Sequence, residues 1–113
     1  PCSEGSTLRY PGAKDRILFL NSQSTTTRSR MYIKISYDGG NTWPISKKIY
    51  DWLTDAECAA QGKGGYSSLA KTGDNKIGAL IEINENVQSA ASSRSIEFHK
   101  FSLAWVLDGN PEP

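Results

Sequence analysis

Histidine, methionine and cysteine are nearly absent from this 113-residue chain: His99 and Met31 stand alone, and Cys2 and Cys58 are the only thiols. A single histidine and two cysteines at no metal-ligand spacing argue against a zinc site, while an even pair of thiols permits one disulfide. No stretch nears the roughly 20 apolar residues of a membrane-spanning helix, and the N-terminus shows neither the charged nor the apolar region of a signal peptide. No Asn-x-Ser/Thr glycosylation acceptor is present. Thirteen basic against twelve acidic residues leave a formal charge of +1. The basic residues are dispersed, so the sequence offers no nucleic-acid footprint and no membrane-binding run.

What is present is globular in character, with 37% hydrophobic residues. Apolar residues alternate or come in short runs, punctuated by Gly, Asn, Asp, Ser and Pro, and this pattern reads as all-β. The spacing predicts strands over Ser6 to Tyr10, Arg16 to Asn21, Met31 to Ser36, Ile45 to Tyr50, Tyr66 to Lys71, Lys76 to Ile83 and Ile96 to Val106. They form antiparallel meanders. In the third, Met31, Ile33 and Ile35 alternate with Tyr32, Lys34 and Ser36, which gives one buried and one polar face. The last strand switches parity between Ile96 and Phe98 on one side and Phe101, Leu103 and Trp105 on the other. A bulge near His99 and Lys100 is required if both sets face the core. From Asp51 to Gly65 the chain is least regular, with a helical turn in Ala-Glu-Cys-Ala-Ala ended by Gly62, Gly64 and Gly65.

The most specific local signal is Ser36-Tyr37-Asp38-Gly39-Gly40-Asn41-Thr42-Trp43. Short side chains at Ser36, Asp38 and Thr42 suit a hairpin corner because they bond turn amides, and Trp43 can fold over the corner. The segment resembles the Ser-x-Asp-x-Gly-x-Thr-Trp Asp-box of sialidases and related propellers, matching at Ser36, Asp38, Gly40, Thr42 and Trp43. In that family the box is structural. The resemblance implies an all-β propeller of sialidase type, of which this chain forms roughly the last two blades. Residues 1–50 make the blade with the Asp-box. Residues 51–113 make the final blade, one strand short.

Gly65-Tyr66-Ser67-Ser68-Leu69, followed by Ile77 to Glu82, resembles the family's Tyr-Ser-x-Leu strand and its partner ending in glutamate. The resemblance implies that Tyr66 is the nucleophile and that Glu82 supports an arginine holding the substrate carboxylate. A tyrosine nucleophile makes physical sense because the anomeric carbon of a sialic acid bears a carboxylate, which repels an approaching carboxylate anion. A phenol, ionising near pH 10 in water, needs a base, and the family takes it from an earlier blade. Independently of resemblance, a carboxylate at Glu82 inside the apolar run Ile77 to Ile83 is costly unless donors or a cation meet it.

Planar arginine forks grip both oxygens of a carboxylate, and the family uses three of them. Only the third has a place here, before the strand that enters the Asp-box. Arg28 and Arg30 are both candidates on one strand face, and the family's usual pattern favours Arg28. The resemblance implies a retaining exo-α-sialidase that acts on sialylated glycans and needs no cofactor or metal. Its partners are the remaining propeller blades of the same protein. Its setting is extracellular, with the lysosome as the alternative, and the chain alone is expected to be inactive. The alternative is a non-catalytic Asp-box propeller that binds glycan or protein.

Overall fold

A computed structural model describes residues 3–84 and 95–113. Cys2 lies outside these residues, and so does its pairing with Cys58. The first half is a meander of β1 (Ser6–Arg9), β2 (Ile17–Ser22), β3 (Met31–Ser36) and β4 (Ile45–Lys48). After α1 (Asp55–Ala60) comes a second meander of β5 (Lys63–Lys71), β6 (Ile77–Ile83) and β7 (Ser95–Phe101), closed by the single turn α2 (Leu103–Val106). Both sheets are antiparallel, with four and three strands in chain order.

Period-two alternation decides which faces meet. Leu18 pairs with Ile35 and Leu20 with Ile33, placing four apolar side chains on one face of the first sheet. In β6, Ile77, Ala79, Ile81 and Ile83 occupy one face and are fully or almost fully buried. The two faces form one core, to which Met31, Ile49 and Tyr50 also belong. Polar stitches cross the seam: the Tyr10 hydroxyl donates to the Asn75 carbonyl at 2.6 Å, and Ser67 Oγ to the Leu20 carbonyl at 3.3 Å. The guanidinium of Arg16, only 5% exposed, grips the Glu112 carboxylate and so ties the end of the chain to β2.

Three sequence expectations are corrected. The register from Ile77–Phe101 to Ile83–Ser95 is unbroken, so no bulge interrupts β7 at His99 and Lys100. The parity switch is resolved by ending the strand, because the Ser102 side chain accepts from Trp105 N and starts α2. Ile96 and Phe98 therefore face outward, 65% and 60% exposed, while Glu97, His99 and Phe101 face inward. β5 also begins earlier than Tyr66, so Gly64 and Gly65 lie within it, whereas Gly62, at φ 62° just after the Gln61 C-cap, ends α1 as expected. The helical turn after Asp51 is present as α1, held by a capping box in which Thr54 and Glu57 bond each other's backbone.

The Ser36–Trp43 corner is closed by its own side chains. Asp38 Oδ1 accepts from Ser36 Oγ at 2.9 Å and from Thr42 N at 2.8 Å, while Oδ2 accepts from Thr42 Oγ1 at 2.6 Å. Gly39 and Gly40 adopt φ of 73° and 98°, which few side-chain-bearing residues tolerate. Trp43 Nε1 donates to the Gly40 carbonyl at 3.1 Å, and its ring stands 5.9 Å from that of Phe19.

Two predictions follow from these contacts. The hydrogen bonds from Thr42, helped by Ser36, lower the Asp38 carboxyl to about 2 from an ordinary 3.8. A depressed carboxyl stabilises the fold above its unfolded pKa, and that contribution is lost as pH falls toward about 2. Thermal melts of the whole protein and its Asp38→Asn variant should differ above about pH 4 and converge near pH 2; a pH-independent difference would show that the charge is irrelevant. Separately, Glu112→Ala strands a buried guanidinium and should lower stability by about 3 kcal/mol in chemical unfolding of the same protein.

Candidate functional site

Between Lys63 and Ser67 the pairing of β5 with β6 slips, so Gly64, Gly65 and Tyr66 form a bulge in the strand. A bulge re-aims a side chain, and Tyr66 at its end is 42% exposed. Glu82 lies on β6 behind it, where Oε2 accepts from Tyr66 N at 3.3 Å. Gly65 admits this approach, since a Cβ there would stand 3.1 Å from Glu82 Oε2. The carboxylate in the apolar strand is thus met by a donor, as its position in the sequence requires. Tyr66 and Glu82 share an open recess of about 280 Å³ with Glu4, Ser68 and Leu80.

Arg28 arrives from the other sheet, on the connection between β2 and β3. Its guanidinium carbon stands 5.2 Å from the centre of the Tyr66 ring. Gly64 makes the approach possible: a Cβ at this position would lie 2.8 Å from the Arg28 carbonyl oxygen and 2.8 Å from Ser29 Cα. Among the described residues Arg28 Nε is buried without a hydrogen-bond acceptor, as is Arg30 Nε, but Arg28 also has no carboxylate partner there. The other described arginines all have carboxylate partners, namely Asp15 for Arg9, Glu112 for Arg16 and Asp55 for Arg30.

Arg30 goes elsewhere. Its φ of 58° breaks the alternation that would put it on the Arg28 side, and its Nε lies 3.3 Å from Asp55 Oδ2 at the start of α1. The two arginines therefore do not share a strand face as the sequence suggested. Tyr66, Glu82 and Arg28 are brought together. Ser36, Asp38, Gly40, Thr42 and Trp43 form the separate corner described above and do not line the Tyr66 recess.

Sequence reasoning missed a polar cluster at the seam. Glu97 accepts from the Tyr50 hydroxyl at 2.7 Å and from Lys63 Nζ at 2.9 Å, and His99 Nε2 lies 3.2 Å from the same hydroxyl. His99 Nε2 also lies 3.3 Å from Glu97 Oε1. Burial, and then Glu97, raise the Tyr50 phenol far above its ordinary value. Lysine and tyrosine lower the Glu97 carboxyl against the opposing effect of burial. The available signal was the spacing of Glu97 and His99, two polar residues on the face that continues to Phe101. Two larger clefts of about 420 Å³ each, one beside Trp52 and His99 and one beside Arg9 and Asp15, touch none of Tyr66, Arg28 or Glu82.

No protein-family model matches the chain. Among curated proteins it is 42% identical, over 114 aligned positions, to an exo-alpha-sialidase of Aspergillus fumigatus, a match covering 96% of this chain and 27% of that protein. An exo-alpha-sialidase of Arthroderma benhamiae is 38% identical with the same coverage of 96% and 27%. A sialidase of Micromonospora viridifaciens is 32% identical over 90 residues, covering 80% of this chain and 11% of that one. The chain thus spans 27% of the length of its fungal relatives. Among solved structures, the intramolecular trans-sialidase of Ruminococcus gnavus, in complex with oseltamivir carboxylate, superposes with a TM-score of 0.69. It is 20% identical, and the match covers 92% of this chain and 23% of that one. The leech intramolecular trans-sialidase, complexed with 2,7-anhydro-Neu5Ac, gives a TM-score of 0.73 at 22% identity, covering 96% and 17%. At these identities the structural likeness speaks for the fold.

Proposed function

The chain is of sialidase type, alike to curated sialidases along nearly its whole length and to trans-sialidase propellers in fold, and on that premise we propose that the protein carrying it is an exo-α-sialidase. The observation that carries the reading is the Arg28 guanidinium 5.2 Å from the Tyr66 ring, on the two sides of one seam. In this reading Tyr66 is the nucleophile. Its oxygen attacks the anomeric carbon as the bond to the leaving glycan breaks, and water later cleaves the tyrosyl–glycoside with overall retention. The base that takes the phenol proton and the acid that protonates the leaving oxygen come from the rest of the protein. Among the described residues no hydrogen bond reaches the Tyr66 hydroxyl.

Arg28 holds the sugar carboxylate. Among the described residues it has no carboxylate partner and its Nε no acceptor, and its fork suits two oxygens. Glu82 supports an arginine of the carboxylate clamp and holds the strand that bears Tyr66. Arg30, engaged with Asp55, has the smaller part. The Ser36–Trp43 corner is an Asp-box with a structural role. The remaining blades of the same protein lie against the outward face of the second sheet at Phe98, 60% exposed, and leave open the recess of Tyr66, which Leu80 and Ile96 also line.

Tyr66→Phe in the whole protein removes only the nucleophilic oxygen. It should cut turnover of a fluorogenic aryl α-sialoside by roughly three orders of magnitude or more while the melting temperature holds. Undiminished turnover would sink the assignment. A folded wild-type protein that binds sialosides without turning them over would make it a binding propeller instead. Arg28→Ala should raise KM about a hundredfold, as loss of a charge-assisted pair does, and Arg30→Ala should raise it far less. The reverse order, measured in the same assay, would exchange their roles.

A further inference from the structure

Gly64 does not line the recess and carries no reactive group, yet it stands where the two halves of the candidate site touch. We infer that Gly64 is a positioning residue, the spacer that sets how closely the arginine-bearing segment approaches the tyrosine-bearing strand. The inference rests on the reading of Arg28 as the carboxylate-binding group and adds to it a residue that acts only through Arg28.

A Cβ at Gly64 would meet the Arg28 carbonyl oxygen at 2.8 Å, Ser29 Cα at 2.8 Å and the Arg28 carbonyl carbon at 3.0 Å. All three are backbone atoms, so no side-chain rotation relieves the contact. A main-chain segment can yield only if it is loose, and this one is held on its far side. Ser22 Oγ donates to the Ser29 carbonyl, Gln23 N donates to the Arg30 carbonyl at 3.0 Å, and Thr27 Oγ1 lies 2.6 Å from Ser29 Oγ. Ser29 is 1% exposed.

The strand side is held as firmly. Lys63 pairs with Ile83 and bonds Glu97 at 2.9 Å, Gly64 N donates to the Gly62 carbonyl at 2.9 Å, and Glu82 takes the Tyr66 amide. With both walls pinned, the missing side chain at position 64 fixes the gap between them. Adding one methyl group displaces Arg28 relative to Tyr66.

The test is a double-mutant cycle in the whole protein, with KM and kcat measured separately on a fluorogenic aryl α-sialoside. Gly64→Ala should lower kcat/KM by roughly ten- to a hundredfold, mainly through KM. In an Arg28→Ala background the same substitution should cost almost nothing further, because the group it acts through is gone. Equal losses in both backgrounds overturn the inference, as does wild-type kcat/KM in Gly64→Ala. If Gly64→Ala fails to accumulate as folded protein, Ser22→Ala provides the second arm by releasing the Ser29 carbonyl from behind. It should raise KM severalfold in the wild-type background and leave it unchanged without Arg28; unchanged KM in both, or an equal rise in both, overturns the inference. If Arg28→Ala itself keeps wild-type KM, the carboxylate-binding reading falls first and this one with it.

Discussion

Two small sheets, each apolar on one face, must cover those faces, and here each covers the other. The stack of Leu18, Leu20, Ile33 and Ile35 against Ile77, Ala79, Ile81 and Ile83 is the contact on which everything else rests. It brings the β2–β3 connection of one sheet alongside the first residues of β5 in the other. Arg28 and Tyr66, 38 positions apart in sequence, become neighbours only because of it. The core is also what makes the local devices rigid, since a bulge or a glycine contact aims a side chain only when the flanking strands cannot drift.

Charge around this core is mostly settled in pairs. Arg16 pairs with Glu112, Arg30 with Asp55, Lys63 with Glu97 and Lys100 with Asp74, and among the described arginines Arg9 has Asp15. Exposed pairs such as Lys100 with Asp74 add little stability, whereas Arg16, almost fully buried, depends on its carboxylate. Arg28 departs from the pattern. Among the described residues it faces an aromatic ring instead of a carboxylate, and a ring occupies the face of a planar cation without taking up its in-plane donors. That is the arrangement a carboxylate ligand can use.

Much of this was legible in the sequence, and the reasons differ from feature to feature. Alternation at Met31, Ile33 and Ile35 announced β3 because a half-buried strand can express it in no other way. The Ser36–Trp43 corner was legible because its hydrogen bonds are all local. Motif order put Tyr66 and Glu82 on neighbouring strands, with Glu82 expected to support an arginine; that its carboxylate accepts from the Tyr66 amide was not legible. Spacing did not separate Arg28 from Arg30, leaving only the family pattern to favour Arg28, because spacing implies a shared face only while the backbone is extended, and Arg30 is in the left-handed region. Gly62 was legible as a helix terminator because the signal is local, and it does end α1. The use of Gly64 and Gly65 as contact surfaces depends on Arg28 and Glu82, which no local window contains.

The last strand holds the most informative discrepancy. A sheet at the surface of a protein carries polar residues outward, and β7 does the opposite: Ile96 and Phe98 face outward beside Leu80, while Glu97 and His99 point inward to Tyr50 and Lys63. The inward polar pair is affordable because each group finds a partner at the seam. The outward apolar set finds none among the described residues, although one of its members sits on the central strand of the sheet. The first meander covers the inward side of this sheet, while Leu80, Ile96 and Phe98 on the outward side have no cover among the described residues. The outer edge of β7 is likewise unpaired among the described residues, so the second sheet offers both an apolar face and a free strand edge.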